Sequence, residues 1–277
     1  MKDLWERVYR VLRRYWCLFV AWFLRGLIRC RYDIELRGFE ELPPLRGALL
    51  LANHPSELDP MVLVCFLWER LQPHPVVLMT FYRQAYARPF LDLCGAIPFA
   101  DLEAERTVEG VRQLKQALAE VVASLHAGKN ILLYPSGRLY RSGREVIGNA
   151  SGTHLILSRV PEVPVVLIRS RGFWGSSFSC AHGEKPDLRK ALLRAGWMLL
   201  LNGFIFCPKR KIVIEAQLAP VDFPRHADRR TLNRWLEEWF NAPGEEPRTI
   251  VPMIWWQAWL GKRNKATSAI SAAAVNR

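Results

Sequence analysis

Two pairs of residues in the chain share the spacing His-x4-Asp: His54 and Asp59 in "NHPSELD", and His182 and Asp187 in "HGEKPD". A histidine beside a carboxylate is acid–base chemistry. The acid accepts a hydrogen bond from one ring nitrogen and fixes the tautomer, and the other nitrogen is left to take a proton near neutral pH. A base positioned in this way typically contributes about 10²–10⁴-fold to a rate. On a continuous helix, however, residues five apart point about 140° away from each other. The pair can meet only where the chain turns. In the first copy, Pro55 and Pro60 each disfavour the α region for the residue before them. The segment "HPSELD" is therefore expected to curl ahead of a helix that starts at Pro60. The second copy lacks the Asn and Ser that accompany the first (Asn53, Ser56), and it follows the loop "SRGFWGSSFSCA" rather than an apolar run. Two other readings of the first copy stay open. Asp59 could cap the helix beside a satisfied histidine. Ser56 could be a nucleophile, although no Gly-x-Ser-x-Gly elbow surrounds it.

The elements that must position these residues alternate between β and α patterns. Short apolar runs at 47–53, 75–80, 130–134, 163–170 and 211–218 read as strands. The segments 60–71, 102–128 and 228–240 read as helices, with apolar residues of 102–128 at steps of three and four and Gly128 as its stop. The pattern predicts an α/β fold with a mostly parallel sheet flanked by helices. His54 follows one strand and "YPSGR" (134–138) follows another. In open α/β sheets such positions, at the carboxyl ends of strands, face the ligand crevice.

The chain has 277 residues and a net charge of +13. Segments 1–31, 189–211 and 247–277 carry +6, +6 and +5, which leaves −4 for the remainder. They also hold seven of the eleven tryptophans. Basic residues mixed with Trp and Leu suit a membrane–water interface with anionic lipid. There is no RNA-recognition or zinc-finger pattern to favour nucleic acid. "YWCLFVAWFL" (15–24) is too short to span a bilayer, and a poor cleavage site follows it. Leu4, Val8, Val11, Leu12, Tyr15, Phe19, Trp22, Phe23 and Leu27 share one broad helical face, as in a helix lying in the interface or packed on its own domain. The uncharged core of 192–211 reads as an interfacial or tunnel-lining helix, and Trp255, Trp256 and Trp259 beside Lys262 and Arg263 as an anchor. Six cysteines without a C-x-x-C pair read as reduced and mostly buried, as in a cytoplasmic protein. Six scattered histidines offer no metal-ligand spacing. The expected division is an amphipathic interfacial helix over 1–32, a catalytic domain over 33–245, and a Trp/basic segment with a small, polar tail over 246–277.

"NHPSELD" resembles the first motif, N-H-x-S-x-x-D, of the glycerolipid acyltransferase superfamily, the PlsC-like lysophospholipid acyltransferases. "GAIPFA" (95–100), "LLYPSGRLYRSG" (132–143) and "VPVVLI" (163–168) resemble its second, third and fourth motifs in order, and the resemblance covers roughly 35–225. It implies transfer of an acyl chain from acyl-CoA or acyl-carrier protein, as co-substrate, to the hydroxyl of a lysophospholipid or lysophosphatidate. His54 would be the general base and Asp59 its orienting partner. Gly137, Arg138 and Ser136 would belong to the acceptor phosphate site, and Gly95 to the acceptor-binding turn. Two departures stand out. Ser136 replaces the usual glutamate, and Pro135-Ser136-Gly137-Arg138 joins Gly directly to Arg. That shortened form is similar to the acyltransferase half of bifunctional 2-acylglycerophosphoethanolamine acyltransferase/acyl-carrier-protein synthetases. The second motif lacks its closing Asp-Arg, a charge that Arg106 or Arg83 could replace. No cofactor and no metal are implied. The expected partners are membrane phospholipid, the acyl carrier and a fused or associated further domain, with no nucleic acid; the expected place is the cytoplasmic face of the cell membrane. Acylation of an aminolipid, or lipid binding without catalysis, are the alternatives.

Overall fold

The computed structural model describes residues 2–99 and 108–257. The chain opens with α1 (Lys2–Arg31), β1 (Tyr32–Arg37), β2 (Leu49–Ala52), α2 (Asp59–Leu71) and β3 (His74–Leu78). It continues through α3 (Met79–Tyr82), α4 (Arg88–Cys94), β4 (Ile97–Phe99), α5 (Val108–His126) and β5 (Ile131–Leu133). Then follow α6 (Gly152–Leu157), β6 (Val165–Arg171), α7 (Leu188–Leu201), β7 (Arg210–Leu218) and α8 (Arg229–Asn241). The strands form one seven-stranded sheet in the order β1-β7-β6-β2-β5-β3-β4. All neighbours are parallel except β6 and β7. The expected α/β architecture is present.

β2 lies between β5 and β6 and is covered on both faces, so it reads as an unbroken apolar run. Its alternation divides the core. Leu50 and Ala52 pack with α2 and buried residues of α1, whereas Leu49 and Leu51 pack with α5, α6 and α8. Asn130 closes the amino ends of these central strands. Its Oδ1 accepts from the Ala48 N–H at 2.9 Å, and its Nδ2 donates to the Leu71 carbonyl at 2.6 Å.

Several boundaries differ from the sequence reading. The expected helix at 102–128 is seen as Val108–His126, and 102–107 lie outside the described residues. The segment 192–211 is not one helix. α7 ends at Leu201, where buried Asn202 donates to the Met198 and Met253 carbonyls and accepts from the Trp255 N–H. Gly203 and Phe204 then take positive φ and turn the chain back toward β7. The expected strand 75–80 stops at Leu78, where α3 begins.

α1 packs on the domain through a narrow stripe of Cys17, Ala21 and Ile28, and Arg25 donates to the Cys65 carbonyl and pairs with Glu69 at 2.6 Å. The broad face expected from Leu12 to Leu27 points outward: Tyr15, Phe19, Trp22 and Phe23 are all exposed, as is Trp16. The side chains of residues 2–11 lie outside the described ones. Among the described residues, no helix is long and apolar enough to cross a membrane.

Residues 246–249 pack on the segment that follows β6 and on the first residue of β7. Arg210 is buried, and its guanidinium donates to the carbonyls of Gly172, Gly175 and Thr249 at 2.7–3.1 Å. Buried Glu246 accepts from the Gly172 and Trp174 N–H groups and from the Tyr140 hydroxyl. Arg210→Ala leaves these carbonyls without their charged donor. It should lower stability by on the order of 3 kcal/mol or more, seen as a lower urea midpoint; an unchanged midpoint would contradict this account.

Candidate active site

The end of β2 is pinned before the chain turns. Asn53 Oδ1 accepts from the Ser170 N–H at 2.7 Å, and its Nδ2 donates to the Ser170 carbonyl at 2.9 Å, which prolongs the pairing with β6 by one residue. His54 follows at the strand's carboxyl end. The turn then closes on Ser56, whose Oγ is fully buried and accepts from the Leu58 and Asp59 N–H groups, each at 3.2 Å. That arrangement gives Ser56 a turn-closing role and argues against Ser56 as a nucleophile. α2 begins at Asp59, one residue earlier than expected. Pro60 occupies its first turn, where no N–H is needed. Asp59 does not cap the helix: the N-cap position is Leu58, without a side-chain cap.

The curl brings the pair together. His54 Nδ1 lies 3.2 Å from both Asp59 oxygens. Asp59 is fully buried and also accepts from the Tyr134 hydroxyl at 3.0 Å. Tyr134, at the end of β5, stacks on the imidazole with ring centroids 4.2 Å apart. The Nε2 of His54 has no hydrogen-bond partner among the described residues, and the side chain keeps 15% of its surface exposed. Burial works against the imidazolium. The Asp59 carboxylate, with Glu57 and Glu145 behind it, outweighs this and holds the His54 pKa above its ordinary value. Burial likewise raises the Asp59 pKa, opposed by His54 and Tyr134. Burial and the Asp59 charge push Tyr134 well up, so its hydroxyl stays a donor. The arrangement can hold one tautomer and accept a proton at Nε2.

The turn 135–138 comes next to this pair, because β5 lies beside β2. Gly137 takes φ +65°, a conformation that favours glycine. Its own N–H is used by the Tyr134 carbonyl at 2.9 Å, so it is not a donor for an anion. Arg138 is exposed, and its guanidinium reaches toward Gly148. The Ser136 hydroxyl donates to the Arg138 carbonyl at 2.9 Å.

Gly95 lies elsewhere. It ends α4 and precedes β4, so it stands at the amino edge of the sheet, where its carbonyl faces His74 Nδ1 at 3.3 Å. The structure does not bring it to His54. Its motif turns out of α4 at Gly95 and runs into the edge strand Ile97–Phe99. Arg83 is exposed just beyond the carboxyl end of β3, and Arg106 lies outside the described residues. The second His-x4-Asp copy is not joined: His182 Nδ1 meets Arg248 at 3.1 Å, and Asp187 caps α7 through the Lys190 N–H.

Tyr134 and Glu145 are the site residues that sequence reasoning missed. Glu145 is buried, and its Oε2 accepts from the His54 backbone N–H at 2.8 Å. It sits in a loop clamped by α8. Asn241 bonds both the N–H and the carbonyl of Glu145, Glu237 Oε1 accepts from Ile147 and Gly148, and Asn233 donates to the Gly148 and Ala150 carbonyls. The signal for this loop was the spacing of Asn233, Glu237 and Asn241, four apart along one helix face.

Residues 33–168 match the family model described as Acyltransferase. The stretch includes His54, Asp59, Tyr134, the 135–138 turn and Glu145. No curated protein matches the chain. Among solved structures, the fold is similar to that of the 1-acyl-sn-glycerophosphate (LPA) acyltransferase PlsC from Thermotoga maritima. The TM-score is 0.56 at 15% identity, over 85% of this chain and 80% of that one. The family match agrees with the acyltransferase resemblance of the motifs, and the structural likeness is one of fold.

The pairing of His54 with Asp59 makes a measurable prediction. Followed by NMR, the His54 imidazole should titrate above free imidazole. In Asp59→Asn the raising charge is lost while burial remains, so the pKa should fall. A His54 titration indifferent to Asp59→Asn would contradict the assigned contact.

Proposed function

We propose that the chain is an O-acyltransferase that moves a fatty acyl group from acyl-CoA or acyl-carrier protein to the hydroxyl of a lysophospholipid or lysophosphatidate. The observation that carries this reading is the His54 ring, held by Asp59 at Nδ1 and stacked on Tyr134, with Nε2 unbonded at the carboxyl ends of β2 and β5. In this mechanism Nε2 takes the proton of the acceptor hydroxyl as its oxygen attacks the thioester carbonyl. The resulting tetrahedral oxyanion collapses, the C–S bond breaks, and the thiolate leaves with the proton from the imidazolium. No metal enters these steps. Asp59 keeps Nδ1–H directed and stabilises the transient cation. Arg138, exposed beside the site, is the group suited to an acceptor phosphate. The likeness of Pro135-Ser136-Gly137-Arg138 to the bifunctional enzymes makes acyl-carrier protein a donor worth testing beside acyl-CoA.

The acceptor of this reading lies in a membrane, and the reading places the protein there as a peripheral protein on the cytoplasmic face; exposed apolar surface supports the docking. Three exposed apolar stretches are tied together: Arg31, at the end of α1, donates to the carbonyls of Pro208, Val251 and Pro252, and Asn202 binds Met253 and Trp255. Around these ties Trp22, Trp197, Ile205, Phe206, Trp255 and Trp256 are exposed. Exposed apolar side chains on a basic chain suit an anionic interface.

Two tests follow. In acyl-transfer assays on a panel of lysolipids with both donors, His54→Ala should lower kcat about 10²–10⁴-fold. His182→Ala should leave the rate unchanged. Equal turnover of wild type and His54→Ala would remove the mechanism. Separately, Trp16→Ser, Phe19→Ser and Trp22→Ser together should reduce flotation with anionic liposomes without lowering thermal stability, because all three side chains are exposed. Undiminished flotation would move the anchor off α1.

A further inference from the structure

Glu145 is a buried carboxylate that the mechanism above leaves unused. Only one of its oxygens is bonded. Oε2 accepts from the His54 N–H, whereas buried Oε1 has no hydrogen-bond partner among the described residues. Bare acceptors in a protein interior are costly and call for a reason. The surroundings supply one. The Ser136 hydroxyl is near enough to favour the charged carboxylate, yet it donates to the Arg138 carbonyl instead. Glu145 itself arrives from the loop that α8 clamps.

Three contacts from residues 134–145 converge on His54. Tyr140 donates its N–H to the His54 carbonyl at 3.1 Å, Glu145 accepts the His54 N–H, and Tyr134 stacks on the ring. From these contacts we infer that Glu145 is a positioning residue: it seats the His54 backbone and adds its negative charge to those of Asp59 and Glu57 near the imidazole. This inference rests on His54 acting as the base. Glu145 does not reach the reacting atoms; it acts through His54.

The charges that bear on His54 come from several elements. Asp59 begins α2, Glu57 belongs to the turn before it, and Glu145 comes from the clamped loop. Tyr134 and Tyr140 face Glu145 and stay neutral, their hydroxyls raised well above the ordinary range first by burial and then by Asp59 or Glu246. Glu57 also meets the exposed Lys185 at 3.4 Å. Glu145 itself is raised by burial, against the pull of Ser136 and His54.

Glu145→Gln separates charge from hydrogen bonding. Its amide oxygen can still accept the His54 N–H, so folding should be kept, which a thermal melt checks. With the charge removed, NMR titration should show a lower His54 pKa than in wild type, though one less reduced than in Asp59→Asn. In the acyl-transfer assay, kcat should fall about 10-fold or more with KM unchanged, because the loss is made in the transition state. The acid limb of the pH–rate profile should move to lower pH with the His54 pKa. Glu145→Asp, which keeps the charge but shortens the reach, should hold the His54 pKa up while kcat still falls. A His54 titration unmoved by Glu145→Gln overturns the inference whether or not the protein transfers acyl groups. An inactive wild type with a shifted titration would instead overturn the proposed reaction and leave the positioning role standing.

Discussion

A carboxylate with no exposed surface sits at the start of α2, and the arrangement around it follows from that fact. Asp59 cannot stay ionised in the interior without donors. It finds them in His54 Nδ1, the Tyr134 hydroxyl and, more distantly, the Ser56 N–H. The first turn of α2 adds its own positive end. These partners belong to the end of β2, the end of β5 and the turn between β2 and α2. The charge is therefore tolerated only where two neighbouring strands finish together and a helix begins above them. Packing and chemistry impose the same requirement here, since the group that must be neutralised is also the one that orients the imidazole.

Around this centre the fold uses buried polar groups as clamps on loops. The α8 stripe of Asn233, Glu237 and Asn241 satisfies the backbone of 145–150. Arg210 and Glu246 do the same for 172–175 and 249. In each case a long connection, whose backbone groups would otherwise need water, is held by side chains from a regular element. These loops are thus held at their bases by side chains, and Arg138 lies on the exposed side of its turn.

The contact of His54 with Asp59 was legible because it is local: prolines, a preceding apolar strand and a five-residue spacing are all visible in one short stretch. The buried central strands were legible for the same reason, being continuous apolar runs. What escaped was long-range. Nothing near Tyr134 or Glu145 says that they meet a histidine eighty or ninety residues earlier, and only the adjacency of β5 and β2 does so. The reversed direction of β1 and β7 relative to the other strands is likewise a property of pairing, not of either strand's composition. The apolar segment 192–211 looked continuous because Asn202 and Gly203 are weak local breaks. Their effect comes from contacts to Met253 and Trp255, far along the chain. The place of Gly95 at the amino end of β4 was not legible, because motif order along a sequence does not say which end of a sheet a segment occupies.

α1 ends at Arg31 and β1 starts at Tyr32, with no residue between them. Helix and strand are therefore joined directly, and Arg25 fastens the same helix to α2, the element that begins with Asp59. If α1 rests on a bilayer, the distance of His54 from the lipid surface follows from how α1 packs on α2. The reach of the site toward a headgroup then becomes a matter of geometry set by that one helix pair.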